Sequence, residues 1–232
     1  MTGMFPYRDA NPSHRMPIVT VALIAVNVIA FLWEISLGPR LETALFDLGV
    51  VPRKWVLLGH LPDLSLLAVL FPYFTSLFLH GGWFHVFGNM WWLWIFGDNI
   101  EDRLGHGRFL FFYLACGLAA GAAHTALSLS SAMPAVGASG AVAGVLGAYL
   151  VLFPHARIQT LVPFFLYYEV VELPAVIVLG FWFVAQFLNG TAAIAMTSAT
   201  GGIAWWAHIG GFLAGIAFLF LLGTSKKIET RI

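Results

Sequence analysis

The stretch GASGAVAGVLGAYLVLF, residues 137–153, places small residues at a helical spacing within an otherwise apolar run. Gly140, Gly144 and Gly147 are separated by four and three positions, so they lie on one face of a helix. A glycine face lets a second helix approach closely, as helices inside membranes often do. The stretch therefore predicts a membrane helix that packs tightly against a neighbouring helix.

The composition of the whole chain points the same way. Its 232 residues are 60% hydrophobic and only 9% charged, with a mean hydropathy of +0.87. Soluble domains carry about 25% charged residues, so the composition excludes a soluble globular domain and a disordered tail. Eleven basic and eleven acidic residues cancel, so no basic field indicates nucleic-acid binding. The single cysteine, Cys116, cannot form an internal disulfide bond, and the sequence has no cysteine–histidine cluster typical of structural zinc.

Six segments are apolar enough to span a membrane, and we expect an all-α, polytopic bundle of six transmembrane helices. They are Pro17–Leu37, Phe84–Asn99, Phe109–Leu129, Ser139–Phe153, Leu173–Leu188 and Trp205–Leu222. The bundle forms one domain, residues 17–222, between a cytoplasmic N-terminal segment, residues 1–16, and a cytoplasmic tail, residues 223–232. Most of the basic residues then fall on the cytoplasmic side.

The apolar region 57–79 raises the alternative of a seventh span, and counting basic residues does not decide between the two topologies. Pro62 and Pro72 interrupt this region, and a proline inside a helix removes a backbone donor and clashes with the preceding turn. We therefore expect six spans. Residues 38–79 then form an external loop on or in the membrane interface, where Trp55 and Trp83 can act as anchors.

Ser139 stands at the start of the fourth span, directly before Gly140. A serine at a helix N-terminus often simply caps the helix. The alternative is a nucleophile, since Gly137 and Gly140 would let backbone N–H groups approach an oxyanion and the helix N-terminus adds positive partial charge. The residues around Ser139 leave both interpretations open.

His208 lies in the run Ala-His-Ile-Gly-Gly, residues 207–211, near the outer end of the sixth span. Gly211 and Gly215 share its helix face, so they could seat this helix against the glycine face of the fourth. Ser139 and His208 would then lie at the same outer depth, which suits a serine–histidine dyad with histidine as the general base. A lone membrane histidine can equally be a structural hydrogen-bonding group.

The second span carries another polar pair, His85 and Asn89, four positions apart on one helix face. Both side chains can donate hydrogen bonds to a developing oxyanion without placing an ion in the membrane. Zinc binding by a histidine pair is the alternative, but the run lacks the glutamate of an HExxH site, and we expect no metal. His80 and His124 are expected to be structural, His80 by pinning the external loop to the bundle.

Together, HxxxN at 85–89, GASG at 137–140 and AHxGG at 207–211 resemble the rhomboid family of intramembrane serine proteases. The resemblance covers essentially the whole chain. It implies that Ser139 is the nucleophile and His208 the general base, without a third acidic member or a cofactor. It also implies an oxyanion hole formed by the Ser139 backbone N–H and the side chains of His85 and Asn89.

The resemblance further implies the substrates. They would be transmembrane proteins, cut near the outer membrane boundary, where the substrate helix can unwind. The family's lateral gate lies between the second and fifth spans. The fifth span offers bulky candidates that can equally be ordinary lipid-facing aromatics, namely Phe181, Trp182, Phe183 and Phe187. Glu101-Asp102-Arg103 also resembles the family's ExR element, and a local structural ion pair is expected there.

One position departs from the family pattern. Several members carry an aromatic residue four positions after the nucleophile, where it stacks on the catalytic histidine, whereas this chain has Ala143. His208 therefore needs another neighbour to hold its ring. Glu34, near the outer end of the first span, is expected to reach the membrane interface.

Two other functions are weaker alternatives. A proteolytically inactive rhomboid-like protein that binds membrane clients would be expected to lack the dyad residues, which are present. A transporter would need polar groups near the membrane midplane and preferably inverted repeats, whereas the polar residues gather towards one side. The sequence shows neither a signal peptide nor an organellar presequence, which favours a bacterial plasma membrane. The oligomeric state is left open.

Overall fold

Each of the six predicted spans corresponds to a helix in the computed structural model, which describes residues 5–164, 167–195 and 204–223. The helices in this part of the chain are α1 Ile18–Ser36, α2 Leu41–Leu48, α3 Arg53–Leu57, α4 Leu66–Thr75, α5 Trp83–Leu104, α6 His106–Leu127, α7 Ser139–Leu152, α8 Ala175–Ala195 and α9 Trp205–Leu222. Residues 224–232 of the predicted tail lie outside the described residues.

Membrane-spanning capacity differs among the six helices. In the described ranges, α1, α6, α8 and α9 are each long and apolar enough to cross a membrane. α5 meets the same criterion of length and hydropathy when it is joined with the preceding segment Leu66–Phe78, and the two are bent by 74° at the break between them. α7 is apolar but has only 14 residues. The helical membrane bundle is therefore confirmed. Gly105, with φ +79°, is the single residue between α5 and α6. α5 therefore ends later than the predicted Asn99, and α6 begins earlier than the predicted Phe109.

α7 lies at the centre of the bundle, and all of its residues from Gly140 to Tyr149 are buried. A Cβ added at Gly211 would lie 2.0 Å from the Gly140 carbonyl oxygen, and one at Gly215 would lie 2.0 Å from the Gly144 carbonyl oxygen. No side chain fits at such distances, so α9 packs on α7 backbone to backbone. The predicted contact between the glycine faces of the fourth and sixth spans is confirmed.

The region between α1 and α5 holds three short α-helices and two single 3-10 turns, Gly38–Arg40 and Ser76–Phe78. α2, α3 and α4 have eight, five and ten residues, too few for any one of them to cross a membrane. α4 exposes a run of apolar side chains, Leu66, Leu67, Leu70, Phe71 and Phe74. This exposure fits a segment that lies against the membrane interface.

A three-stranded antiparallel sheet was not predicted. Its strands are β1 Phe5–Asp9, β2 Arg157–Phe164 and β3 Tyr167–Pro174, in the order β1–β2–β3. The β2–β3 hairpin connects the C-terminal end of α7 to α8, so the sheet lies at the opposite end of α7 from Ser139. Tyr149 on α7 donates a hydrogen bond from its hydroxyl to the Asp9 carboxylate at 2.8 Å, which ties β1 to the bundle.

Glu101 also joins distant parts of the chain. Its carboxylate accepts hydrogen bonds from the Val19 and Thr20 backbone N–H groups and from the Thr20 hydroxyl. These N–H groups belong to the first turn of α1, where no intrahelical partner exists. The acidic residue of the ExR-like element therefore caps α1, a role that the expectation of a local ion pair did not include.

Candidate active site

Ser139 and His208 are in direct contact. The Ser139 hydroxyl belongs to the first residue of α7, and its Oγ lies 2.8 Å from His208 Nε2 on α9. The N-cap position of α7 is occupied by Ala138, so Ser139 does not cap the helix. The close α7–α9 packing brings the two side chains together. A hydroxyl and an imidazole at this distance have the geometry of a nucleophile and its general base.

The other nitrogen of His208 has a partner that the sequence analysis missed. Gln186 Oε1 on α8 lies 2.7 Å from His208 Nδ1. An amide oxygen only accepts hydrogen bonds, so Nδ1 carries the proton and Nε2 is left as the acceptor for Ser139. Gln186 is an amide in an apolar span, and the rule that polar residues at membrane depth require an explanation would have singled it out.

The ring of His208 has two tryptophan neighbours. Its centroid is 5.9 Å from that of Trp182 and 6.1 Å from that of Trp205. Ala143 is fully buried and offers the ring no aromatic neighbour. The ring partner that the sequence analysis left open is therefore supplied by α8 and by the start of α9.

His85 presents a protonated nitrogen near Ser139. The Gly81 backbone N–H donates to His85 Nδ1 at 3.2 Å, so in the neutral ring the proton sits on Nε2. A Cβ added at Gly137 would lie 2.6 Å from His85 Nε2 and 3.5 Å from Ser139 Oγ. Gly137 has φ +131°, which favours glycine, and its missing side chain leaves the space that His85 occupies.

Asn89 lies on the same face of α5 and is buried, with 8% of its surface exposed. Its Nδ2 has no hydrogen-bond partner among the described residues. Asn89, His85, Ser139 and His208 all line one cavity of about 200 Å³. A buried amide donor without a partner costs free energy until a ligand oxygen accepts from it, so the cavity is suited to an oxygen-bearing group.

The same cavity lies between α5 and α8. Phe84, Gly88 and Trp92 line it from α5, and Trp182 lines it from α8. The ring centroids of Trp92 and Trp182 are 6.1 Å apart. Of the four aromatic gate candidates, Trp182 lines the cavity, whereas Phe183 packs on Phe212 with centroids 4.7 Å apart. Phe181 and Phe187 are each 48% exposed.

A second, smaller cavity adjoins Ser139. Its volume is about 30 Å³ and its lining includes Gly137, Ser139, Gly140 and His124. This is enough space for a water molecule. His124 Nδ1 is buried and has no hydrogen-bond partner within the described ranges, so it offers a polar atom to such a water.

Two contacts hold the surrounding loops. Glu34 is only 1% exposed, and its carboxylate accepts the His80 backbone N–H. The expectation that Glu34 reaches the interface is wrong, because its carboxylate satisfies a buried loop N–H instead. His80 does join the loop to the bundle, through this N–H, and its ring centroid lies 5.1 Å from that of His85. Ser76 supports the loop that leads into Ser139, because its carbonyl oxygen accepts the Gly137 backbone N–H at 2.8 Å.

Comparison with known proteins finds similarity to rhomboid proteins. The Rhomboid domain family matches residues 68–225. The chain is 28% identical to Rhomboid protein 1, mitochondrial, of Saccharomyces cerevisiae, over 97% of this chain and 57% of that protein. It is 29% identical to the human Presenilin-associated rhomboid-like protein, mitochondrial, over 85% of this chain and 46% of that protein. It is 31% identical to Rhomboid protease GluP of Bacillus subtilis, over 90% of this chain and 36% of that protein.

The chain spans about half the length of the curated relatives that it matches. Two of these three are named as mitochondrial and the third comes from a bacterium. The comparisons therefore do not support the choice of a bacterial plasma membrane. They agree with the several apolar helices in assigning the chain to a membrane.

Proposed function

The chain belongs to the rhomboid family, and we propose on this basis that it is a serine endopeptidase that cleaves transmembrane segments with a Ser139–His208 dyad. The observation that carries the proposal is the 2.8 Å contact between Ser139 Oγ and His208 Nε2 at the wall of the 200 Å³ cavity. Proton transfer to a base within hydrogen-bond distance is what makes a serine hydroxyl nucleophilic.

The first step is attack on a peptide carbonyl in the cavity. Ser139 Oγ bonds to the carbonyl carbon as its proton passes to His208 Nε2, which becomes an imidazolium. The carbonyl oxygen gains the negative charge. The donors proposed to stabilise it are the Ser139 backbone N–H, His85 Nε2–H and Asn89 Nδ2–H.

The second step releases the products. His208 Nε2–H protonates the departing amine as the carbon–nitrogen bond breaks, leaving an acyl ester on Ser139. A water then attacks this ester while His208 takes its proton, and Ser139 recovers its hydrogen as the carboxylic acid leaves. The small cavity beside Ser139 and His124 is a suitable reservoir for that water.

The substrates are proposed to be transmembrane proteins that meet the enzyme within the bilayer, near the outer membrane boundary. A membrane helix keeps its carbonyls hydrogen-bonded, so a segment must unwind before Ser139 can attack it. The cavity borders α5 and α8, and their facing residues Trp92 and Trp182 are the contacts that an entering segment would have to part.

The test uses detergent-solubilised protein and a model transmembrane substrate. We expect cleavage by the wild type and none by Ser139→Ala or His208→Ala. The exposed residues Ser36 and His60 provide matched controls, since Ser36→Ala and His60→Ala should cleave normally. Equal cleavage by wild type and both dyad variants would refute the assignment.

The orientation is proposed to place residues 1–16 and 223–232 in the cytoplasm, on either side of a six-span protease domain, residues 17–222. Single cysteines at Ser13 and Lys226, in a chain whose Cys116 is replaced, should react with an impermeant reagent from the same side. Reaction from opposite sides would favour seven spans.

A further inference from the structure

Gln186 is a buried polar residue of α8. It is 7% exposed, and its amide oxygen lies 2.7 Å from His208 Nδ1. We propose that Gln186 is a positioning residue that holds His208 in the tautomer with its proton on Nδ1, leaving Nε2 free to take the proton of Ser139. This inference rests on the proposed proteolytic function.

The two partners of the His208 ring determine the direction of its hydrogen bonds. Ser139 Oγ lies 2.8 Å from His208 Nε2, and Gln186 Oε1 lies 2.7 Å from His208 Nδ1. Because an amide oxygen only accepts, the ring proton belongs on Nδ1, and the Ser139 hydroxyl is then the donor to Nε2. A neutral imidazole has one ring proton and two tautomers, and only the form protonated at Nδ1 has a lone pair facing the serine. With an acceptor at Nδ1, the productive form is the one in which both ring nitrogens of His208 are hydrogen-bonded.

A second contact from the same helix fixes the ring. Trp182 lies one turn before Gln186 on α8, so both residues share a helix face. The Trp182 and His208 rings are 5.9 Å apart at an interplanar angle of 35°. One face of α8 therefore supplies both a hydrogen-bond partner for the imidazole and an aromatic ring beside it. α7 supplies no aromatic contact of this kind at position 143, where it has Ala143.

The chemical nature of Gln186 has its own consequence. An amide accepts the Nδ1–H bond but supplies no negative charge, so the imidazolium formed during catalysis has no carboxylate beside it. Gln186→Glu keeps an acceptor and adds that charge, whereas Gln186→Met removes the acceptor at similar volume. Comparing these two variants distinguishes an effect on the His208 tautomer from an effect on side-chain packing.

The kinetic test measures cleavage by purified full-length protein across a range of pH. Gln186→Met should lower kcat by roughly ten-fold, the scale of one lost hydrogen bond, with little change in KM. Gln186→Glu should move the acidic limb of the pH–rate profile to higher pH, because a carboxylate favours the protonated imidazole. Asn189→Met, at an exposed position on the same helix where the amide donates to the Ala185 carbonyl one turn before it, should leave both unchanged.

A purely structural role would lower the amount of folded protein in both Gln186 variants and leave the profile of the folded fraction where it was. That result would overturn the inference. So would wild-type kinetics in Gln186→Met.

A second readout does not need activity. Nitrogen NMR of the protein labelled with ¹⁵N-histidine, with His208 identified by comparison with His208→Ala, reports which ring nitrogen carries the proton. The expected result is Nδ1 protonation in the wild type and a mixture of tautomers in Gln186→Met. Protonation at Nε2 in the wild type would refute the inference, whereas an Nδ1-protonated protein that cleaves nothing would refute only the proposed function.

Discussion

Both carboxylate oxygens of Glu34 lie within hydrogen-bond distance of the His80 backbone nitrogen, at 3.0 and 3.1 Å. The next residue of that loop, Gly81, donates its own N–H to His85 Nδ1 at 3.2 Å. A side chain on α1 is thereby connected, through two successive backbone amides, to the proton position of a histidine beside Ser139.

This connection predicts that Glu34→Leu impairs both stability and turnover. The His80 N–H would be left buried without an acceptor, at a cost of about 1–3 kcal/mol. Turnover should fall as well, because the Gly81 N–H would no longer be held against His85. Thermal unfolding and cleavage rate in detergent measure the two effects. Glu34→Gln keeps one acceptor and should be milder, and Glu42→Leu, at an exposed position, should behave as wild type.

The proposed oxyanion donors predict a loss of rate without a loss of fold. His85→Ala or Asn89→Ala should reduce transition-state stabilisation by roughly 2.7–4 kcal/mol, the range found for one lost oxyanion donor. The measurement is kcat with a model transmembrane substrate, with thermal unfolding as the check on folding. Unchanged turnover in both variants would remove these residues from the oxyanion hole.

The glycine contact between α7 and α9 predicts sensitivity to a single methyl group. Gly211→Ala would place a Cβ 2.0 Å from the Gly140 carbonyl oxygen, which forces the two helices apart. Overpacking of this kind costs about 1–3 kcal/mol. Gly180→Ala on α8 is the matched control, since its added methyl has no neighbour within 4 Å in the described chain apart from its chain neighbours and the backbone of its own helix. A similar unfolding temperature for both variants would contradict backbone-to-backbone packing.

Asp9 predicts a pH dependence of stability. Burial raises the pKa of its carboxyl from 3.8 to about 6, against the lowering effect of the Tyr149 hydrogen bond. The folded state therefore binds this proton more tightly than the unfolded state. The resulting stabilisation is full below pH 3.8 and is lost as the pH rises through about 6. Asp9→Asn should remove this decline, which unfolding temperatures of both proteins between pH 4 and 7 would reveal.

The features of the site that could be predicted are those that depend on spacings within one helix. Gly140, Gly144, Gly211 and Gly215 revealed the α7–α9 contact, because helical spacing alone places them on single faces. That contact then brings Ser139 to His208, so the central geometry of the site follows from the glycines and the helix ends.

The parts that were missed depend on contacts between distant segments. Gln186 meets His208 only because α8 packs beside α9, and Glu34 meets His80 only because the loop folds back over α1. No spacing rule encodes either pair. The sheet is a different case, since the Thr, Val and Tyr residues of 157–174 favour strands. Their apolar neighbours made the end of this segment look like the start of a span.

In the proposed protease, the brevity of α7 sets the depth of the reaction. Fourteen residues at a rise of 1.5 Å give a helix of about 21 Å, against a hydrocarbon thickness of about 30 Å. With its C-terminal end at one boundary of the hydrocarbon, the hydroxyl at its first residue is recessed roughly 9 Å beneath the other. A peptide bond at that level is shielded from bulk solvent, so under the proposed function the length of a single helix would select which bonds of a substrate are within reach.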